Sequence, residues 1–365
     1  MNIRSFLWVA AAGLALAACK GDAPAAPDAA APEPPPSTTA PTPDVTPDPP
    51  EAPEPVGLSV VSVKLLEPGA EPRRQLKLTP TADAAGTLDV EVQLDEKMRL
   101  AGSRDLPNPS PPRVKLSLTT KVTAVEGETA RYDVEVAEAQ ALALDAAPEP
   151  AQRLMPPVLA SVRGSRLSTE VSTAGRVSDA PLPRLTAGGP QVQSLASSYL
   201  QALQHLPTPL PAEPVGVGAR WEVVQRVVAG RLRVQQTLTY EVTSLEATEV
   251  KVAVSGVLAM DPDGAAGPGL PKGAEVKSFE GTVTGQKTLD LRRVLPASVV
   301  LQLHGVAELG LAARGNAQPG ELQVVMDALI KAGAGIDAPD LPKPPPPPPR
   351  EDDDGHDHGH DHGHE

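Results

Sequence analysis

Apolar residues recur at every second position through most of the chain between about Gly57 and Ala338. Leu88, Val90, Val92 and Leu94 alternate with Asp89, Glu91 and Gln93. The same period runs through Val114, Leu116, Leu118, Thr120 and Val122, and through Leu232, Val234, Gln236, Leu238, Tyr240 and Val242. Val250, Val252 and Val254 repeat it. A period of two puts every other side chain on one face of a strand, so these runs predict half-buried β-strands. Glu126-Gly127, Ala229-Gly230 and Asp263-Gly264 separate them as turns.

One segment changes period. Val192, Leu195, Ala196, Tyr199, Leu203 and Leu206 fall at helical spacing, with Pro190 at the start and Pro207 just past the end. This predicts an amphipathic helix over Pro190–Leu206. The stretch from Leu322 to Ile330 fits either period. A strand is the better reading, because it can pair with Val299–Ala313 across the turn between Gly315 and Gly320.

The chain also repeats itself. Leu118-Thr119-Thr120-Lys121-Val122-Thr123-Ala124-Val125-Glu126 aligns with Leu238-Thr239-Tyr240-Glu241-Val242-Thr243-Ser244-Leu245-Glu246. Further on, Gly164 with Arg176-Val177 aligns with Gly281 with Arg293-Val294. The expected fold is mainly β. Two related antiparallel β units, of sandwich or open half-barrel type, are joined by one amphipathic helix, with disordered termini. The first unit spans 57–186, the helix and a Pro-rich connector 187–213, and the second unit 214–338. Pro214-Val215-Gly216-Val217-Gly218-Ala219-Arg220-Trp221 resembles the "P-V-x-V-G-x-x-W" start of the second half in a family of uncharacterised bacterial envelope proteins. Gly164 and Gly175-Arg176-Val177 stand where that family has a glycine-marked hairpin. The resemblance implies a fold and no chemistry, and Trp221 reads as a core anchor.

Composition matters most at the ends. Arg4 precedes an uncharged run from Ser5 to Cys19, too short to span a bilayer and shaped like a secretory signal over 1–18. Leu16-Ala17-Ala18-Cys19 resembles the lipobox of bacterial lipoproteins. That resemblance implies cleavage before Cys19, acylation of its thiol and new amino group, and a membrane partner held through lipid. Lys20-Gly21 follows in place of an Asp, which by resemblance to Gram-negative lipoproteins implies the outer membrane. Cys19 is the chain's only cysteine, so an internal disulfide framework and a Cys-built metal site are excluded.

Residues 19–56 then read as a tether. Asp22–Val56 carries 13 Pro in 35 residues. In polyproline form, at ~3.1 Å per residue, it reaches about 100 Å. It holds seven acids and no base, and Glu351–Glu365 holds seven more. These two segments account for the whole net charge of −14, leaving the remainder of the chain neutral overall. With two Phe, two Trp and three Tyr and no basic face, nucleic acid is excluded as a partner.

Residues 339–365 read as a polyproline spacer and a solvated tail. His356, His358, His360, His362 and His364 alternate with Gly and acids, including Asp357 and Asp361. Imidazoles and carboxylates on a flexible chain can gather on zinc, copper or nickel with modest affinity and poor selectivity. By composition the tail is similar to the His/Asp-rich segments of bacterial metal-uptake and metal-chaperone proteins. No cofactor is required by any motif.

Catalytic signals are absent. There is no HExxH, P-loop or GxSxG, and Gly216-Val217-Gly218 lacks the rest of a dinucleotide fingerprint. Asp261-Pro262-Asp263-Gly264 lacks the later Glu of a calcium loop and reads as a turn. His205 falls on the polar side of the helix and is expected to be solvated; His304 alternates with Gln302 and is expected to face outward. The chain is therefore read as a non-enzyme. Its leading reading is a lipid-anchored envelope protein with a binding or scaffolding role, whose partner is an envelope protein or an apolar ligand. The alternatives are a periplasmic metal buffer or chaperone working through its tail, and a carrier of lipid or another apolar ligand. For the anchor, Cys19→Ser is expected to move the protein from the membrane to the soluble fraction on cell fractionation.

Overall fold

The computed structural model describes residues 59–100, 105–106, 110–178, 185, 188–264, 270, 274–312 and 320–334. Cys19 and the tail positions His356 to His364, with Asp357 and Asp361, lie outside them. In chain order the strands are β1 (Ser59–Glu67), β2 (Ala85–Leu100), β3 (Asp105–Leu106), β4 (Val114–Glu126), β5 (Thr129–Ala141), β6 (Arg166–Ser172), β7 (Arg220–Ala229), β8 (Leu232–Leu245), β9 (Glu249–Met260), β10 (Ala274–Asp290), β11 (Ser298–Leu311) and β12 (Gly320–Gly333). Helix α1 (Glu149–Val162) joins β5 to β6, and α2 (Pro190–Gln201) runs on into a 3-10 turn, Ala202–His205, before β7. The expected helix therefore forms from Pro190 to His205, one residue short of the expected end, and tightens in its last turn. The ambiguous C-terminal stretch is strand β12, paired with β11 from Leu311↔Gly320 to Val299↔Ala332.

All strands join one antiparallel sheet in the order β1-β7-β8-β9-β10-β11-β12-β2-β4-β5-β6, with the short β3 attached beside β2. The architecture is thus the open half-barrel and not the sandwich. The sheet is unclosed, with β1 and β6 as its edges. The two halves meet where β12 pairs β2, from Leu322↔Leu100 to Gly333↔Asp89. β1 comes from the first half in sequence yet lies on β7 of the second.

The inward phase of each strand is the apolar one read from the sequence. Leu88, Val90 and Val92 of β2, Leu116 and Leu118 of β4, Val234, Leu238 and Tyr240 of β8 and Val250, Val252 and Val254 of β9 are buried in one continuous core. Both helices pack on that face. α1 lies on β5, α2 touches β7, and the two helices touch each other. β5 and β7 are eight strands apart in the sheet, which on a flat surface is roughly 40 Å at ~4.8 Å per strand. One helix pair touches both, so the sheet must curl around it. Leu78 N–H donates to Thr173 O, just past β6, and Thr79 N–H to Leu291 O, just past β10, which ties the curled sheet at one end.

Helix α1 departs from the sequence reading, which expected one helix. Pro148, Pro150, Pro156 and Pro157 in and around it read as breakers. Pro150 sits in the first turn, where no helical N–H partner is lost. Ala151, Met155, Val158 and Val162 form a buried stripe that holds the helix on β5 despite the inner prolines.

The repeat is visible in local geometry. The β4–β5 ladder shifts register between Val122 and Ala124, and the β8–β9 ladder between Val242 and Ser244. At the bulge, Thr123 Oγ1 donates to Arg131 O (3.3 Å) and Thr243 Oγ1 to Lys251 O (3.2 Å). Val122 N–H donates to Ala84 O and Val242 N–H to Ala219 O. The preceding residues, Asp83 and Gly218, both have positive φ, 60° and 79°. Thr173 N–H donates to Glu128 O as Leu291 N–H does to Thr248 O. Matching bulges and matching tethers go beyond shared strand composition.

The edge at β6 is closed off by its own return. Val171 bridges Val177, and Gly175 turns between them with φ 70°. A Cβ at Gly175 would stand 2.3 Å from Thr208 O. Gly175→Ala is expected to destabilise the fold by about 2–4 kcal/mol, from left-handed strain and a backbone clash together, measured by urea unfolding.

Candidate functional site

Three inward positions of the second half break the apolar phase. Gln225 follows Trp221 and Val223 on β7, Gln236 sits between Val234 and Leu238 on β8, and Lys287 precedes Leu289 on β10. All three are buried. Gln225 Nε2 donates to Gln236 Oε1 at 2.7 Å. Across from them the 3-10 turn brings in Gln204 and His205. Gln204 Oε1 accepts from Val228 N–H (3.4 Å), which orients the amide and leaves its Nε2 without a partner. Gln225 Oε1, Gln236 Nε2 and Tyr240 Oη are likewise buried and unpartnered. An unmet buried polar atom costs about 1–3 kcal/mol, so four in one layer is an expensive arrangement.

Lys287 pins this layer. Its Nζ donates to Pro207 O (2.9 Å), Thr208 Oγ1 (3.2 Å) and Leu206 O (3.3 Å), which uses all three ammonium protons. It also stands 5.5 Å from the centre of the Tyr240 ring, which stacks on Trp221 at 5.3 Å. Trp221 is fully buried and its Nε1 donates to Pro209 O (2.9 Å), so it is the core anchor expected from sequence. Among the described residues no carboxylate pairs with Lys287, and burial pushes its amine down to about 7. His205 is half-buried beside Gln236, not solvated as its place on the polar side of the helix suggested. Burial first and the Lys287 charge second push its imidazole down to about 4, against the pull of Gln236.

Next to this layer a cleft of about 80 Å³ opens between α2 with its 3-10 turn and the inner face of β4, β5 and β6. Leu118, Tyr132, Val134, Leu167, Leu200 and Leu203 form its apolar walls. Of its polar liners, Thr169 and Ser178 satisfy each other, with hydroxyls 3.2 Å apart. Gln204 lines the same cleft with its Nε2 unmet, and Leu206 and Pro207, whose carbonyls hold Lys287, line it too. The sequence reading did not single out Gln204, Gln225 or Lys287. Their signal was a polar residue at an apolar-phase position, which Gln236 already displayed within its strand.

The other sequence candidates are dispersed. His304 is exposed on the outer face and its Nδ1 lies 2.8 Å from Asp327 Oδ1 on the neighbouring strand. Asp261–Gly264 is a turn, closed by Gly264 N–H to Asp261 O and bound to Arg226 through Asp263. Among the described residues no three His, Cys, Asp or Glu gather as a metal site, and no helix is long and apolar enough to cross a membrane.

The charge on Lys287 has a measurable cost. The folded amine releases its proton near pH 7, while in the unfolded chain it does so near 10.5, so the unfolded state holds more protons in between. Stability therefore rises with pH across this window, by about 2 kcal/mol between pH 7 and 9. Urea unfolding is expected to show this rise in the wild type and to lose it in Lys287→Met.

No family model and no curated protein matches the chain. Among solved structures, the outer membrane protein OprG from Pseudomonas aeruginosa is similar at 6% identity and a TM-score of 0.17, over 70% of this chain and 99% of that one. A likeness that loose carries no argument about the body or its site.

Proposed function

We propose that the protein is a lipid-anchored envelope protein that works by binding, without catalysis, and that its body receives a small apolar ligand in the cleft beneath the α2 3-10 turn. The observation that carries this reading is the cleft itself. It interrupts an otherwise continuous core, it lies beside an edge strand of an unclosed sheet, and its walls are leucine, valine and tyrosine. A space of about 80 Å³ would take roughly six waters, but water needs several polar partners and these walls offer few. Hydrocarbon fits such a space better.

The lipobox ending at Cys19 supports the anchor, and the Pro-rich segment that follows supports a body held away from the membrane. The His/Asp tail adds a metal-capable segment separate in sequence from the cleft, so metal and apolar ligand would act independently.

The test uses xenon, an apolar probe small enough for such a space, with the full chain carrying Cys19→Ser, so that no acyl group of its own competes. One equivalent is expected to bind, read by xenon NMR as a saturable change in chemical shift. Leu203→Trp, which fills the cleft, is expected to abolish this, while Val257→Trp on the exposed face of β9 leaves it intact. Xenon binding that survives Leu203→Trp would remove the cleft from the function.

A further inference from the structure

The chain between the 3-10 turn and β7 passes through Leu206-Pro207-Thr208-Pro209-Leu210-Pro211, a mostly buried stretch that belongs to no helix or strand. Its alternating prolines remove every second N–H, so it cannot pair as a strand. Its carbonyls still need donors in an interior that water does not fill. At the two ends the backbone is fixed by its own N–H groups: Leu206 N–H donates to Leu203 O, and Leu210 N–H to Ala174 O. Between those points the carbonyls are served by side chains. Trp221 Nε1 donates to Pro209 O (2.9 Å), and Lys287 Nζ donates to Leu206 O (3.3 Å) and Pro207 O (2.9 Å). The third Lys287 proton goes to Thr208 Oγ1 (3.2 Å).

The other side of this connector is a wall of the cleft. Leu206 and Pro207 line it, continuing from Leu203, and they face Leu118, Tyr132 and Val134. Lys287 does not line the cleft; it reaches the connector from β10, behind that wall. We propose that Lys287 is the positioning residue of the cleft: it holds Leu206, Pro207 and Thr208 back against β10 and so keeps the space in front of them open. This rests on the reading of the cleft as a ligand site, and adds that its occupancy is set by a residue the ligand does not touch. Without the Lys287 donor, two carbonyls and a hydroxyl are left unmet in the interior, and such groups move toward whatever solvent they can reach. The nearest open space is the cleft, so the wall moves into it.

Protonation acts on the same wall. The ammonium has three protons for three acceptors, and the neutral amine has two. Burial brings loss of the third proton down to about pH 7. The titratable groups facing Lys287 are His205 of the 3-10 turn, pushed down to about 4, and Tyr240 of β8, whose hydroxyl burial pushes above its ordinary range. Neither changes charge near neutral pH. The open wall therefore belongs to the protonated state, and the cleft loses affinity as pH rises through about 7.

The experiment measures xenon affinity by xenon NMR on the full-length Cys19→Ser chain between about pH 6 and pH 8.5, a range that brackets the Lys287 titration. The parent is expected to bind about threefold more weakly at the upper end, somewhat less than the loss of one full hydrogen bond. Lys287→Met is expected to bind about fivefold more weakly than the parent at the lower end and to show no pH dependence. Lys287→Arg keeps its charge throughout, so it is expected to restore binding and make it independent of pH. Thr208→Val removes one acceptor and leaves Lys287 in place; its expected loss of about twofold keeps the test open if a Lys287 variant fails to fold. Equal xenon affinity in the parent, Lys287→Met and Thr208→Val overturns the positioning role while sparing the cleft. A fall with pH that persists in Lys287→Arg overturns it by assigning the titration to another group. Failure of xenon to bind the parent at any pH overturns the cleft itself.

Discussion

A twelve-strand sheet with one apolar face cannot lie flat in water, and the rest of this structure follows from how that face is covered. Two short helices cannot cover a flat sheet of that width. The sheet instead bends until β5 and β7 reach the same pair, so α1 and α2 become the filling of a half-barrel. The backbone bonds from Leu78 and Thr79 to Thr173 and Leu291 then fasten one end of the curl. The duplicated bulges at Thr123 and Thr243 bend their strands at equivalent points, which is how two similar hairpin sets share one curvature.

The curl leaves its interior uneven. The first half is lined by Leu, Val and Tyr132, whereas the second holds Gln225, Gln236 and Lys287 facing Gln204 and His205. Polar groups in a core are tolerated where they are mutually satisfied, and here four atoms are not. Incomplete satisfaction beside an apolar gap is what separates this region from ordinary packing. Structural polar layers close on themselves; this one leaves Gln204 Nε2, Gln225 Oε1, Gln236 Nε2 and Tyr240 Oη without partners.

Much of the sheet was legible because its strands are half-buried, and half-burial writes a period of two into the sequence. β2, β4, β8 and β9 could be read from Leu88, Leu116, Leu238 and Val252 and their neighbours. The single sheet was not legible, since nothing local to β12 says that its outer edge meets β2 across the whole length of the chain. Helix α1 was hidden by its prolines, whose cost is offset by tertiary contacts of Met155 and Val158 that no local rule contains. At the candidate site, Gln236 stood in plain view as a polar residue in an apolar phase. Gln204 did not, because on a helix face a glutamine reads as solvent-facing until the sheet it packs on is known.

The pairing of β12 with β2 also orders events in time. A chain that emerges from its N-terminus produces β2 early, and β2 can pair at once with β4. Its other edge, however, waits for β12, the last strand among the described residues. Contacts of such long sequence separation form slowly, because loop closure must precede any gain from the ladder. Until β12 arrives, the first half exposes both an unpaired strand edge and half of an unfilled barrel, and is at its most prone to pairing with other chains. Joining of the two halves into one sheet is therefore a late step, and truncation within β12 leaves β2 without its neighbour.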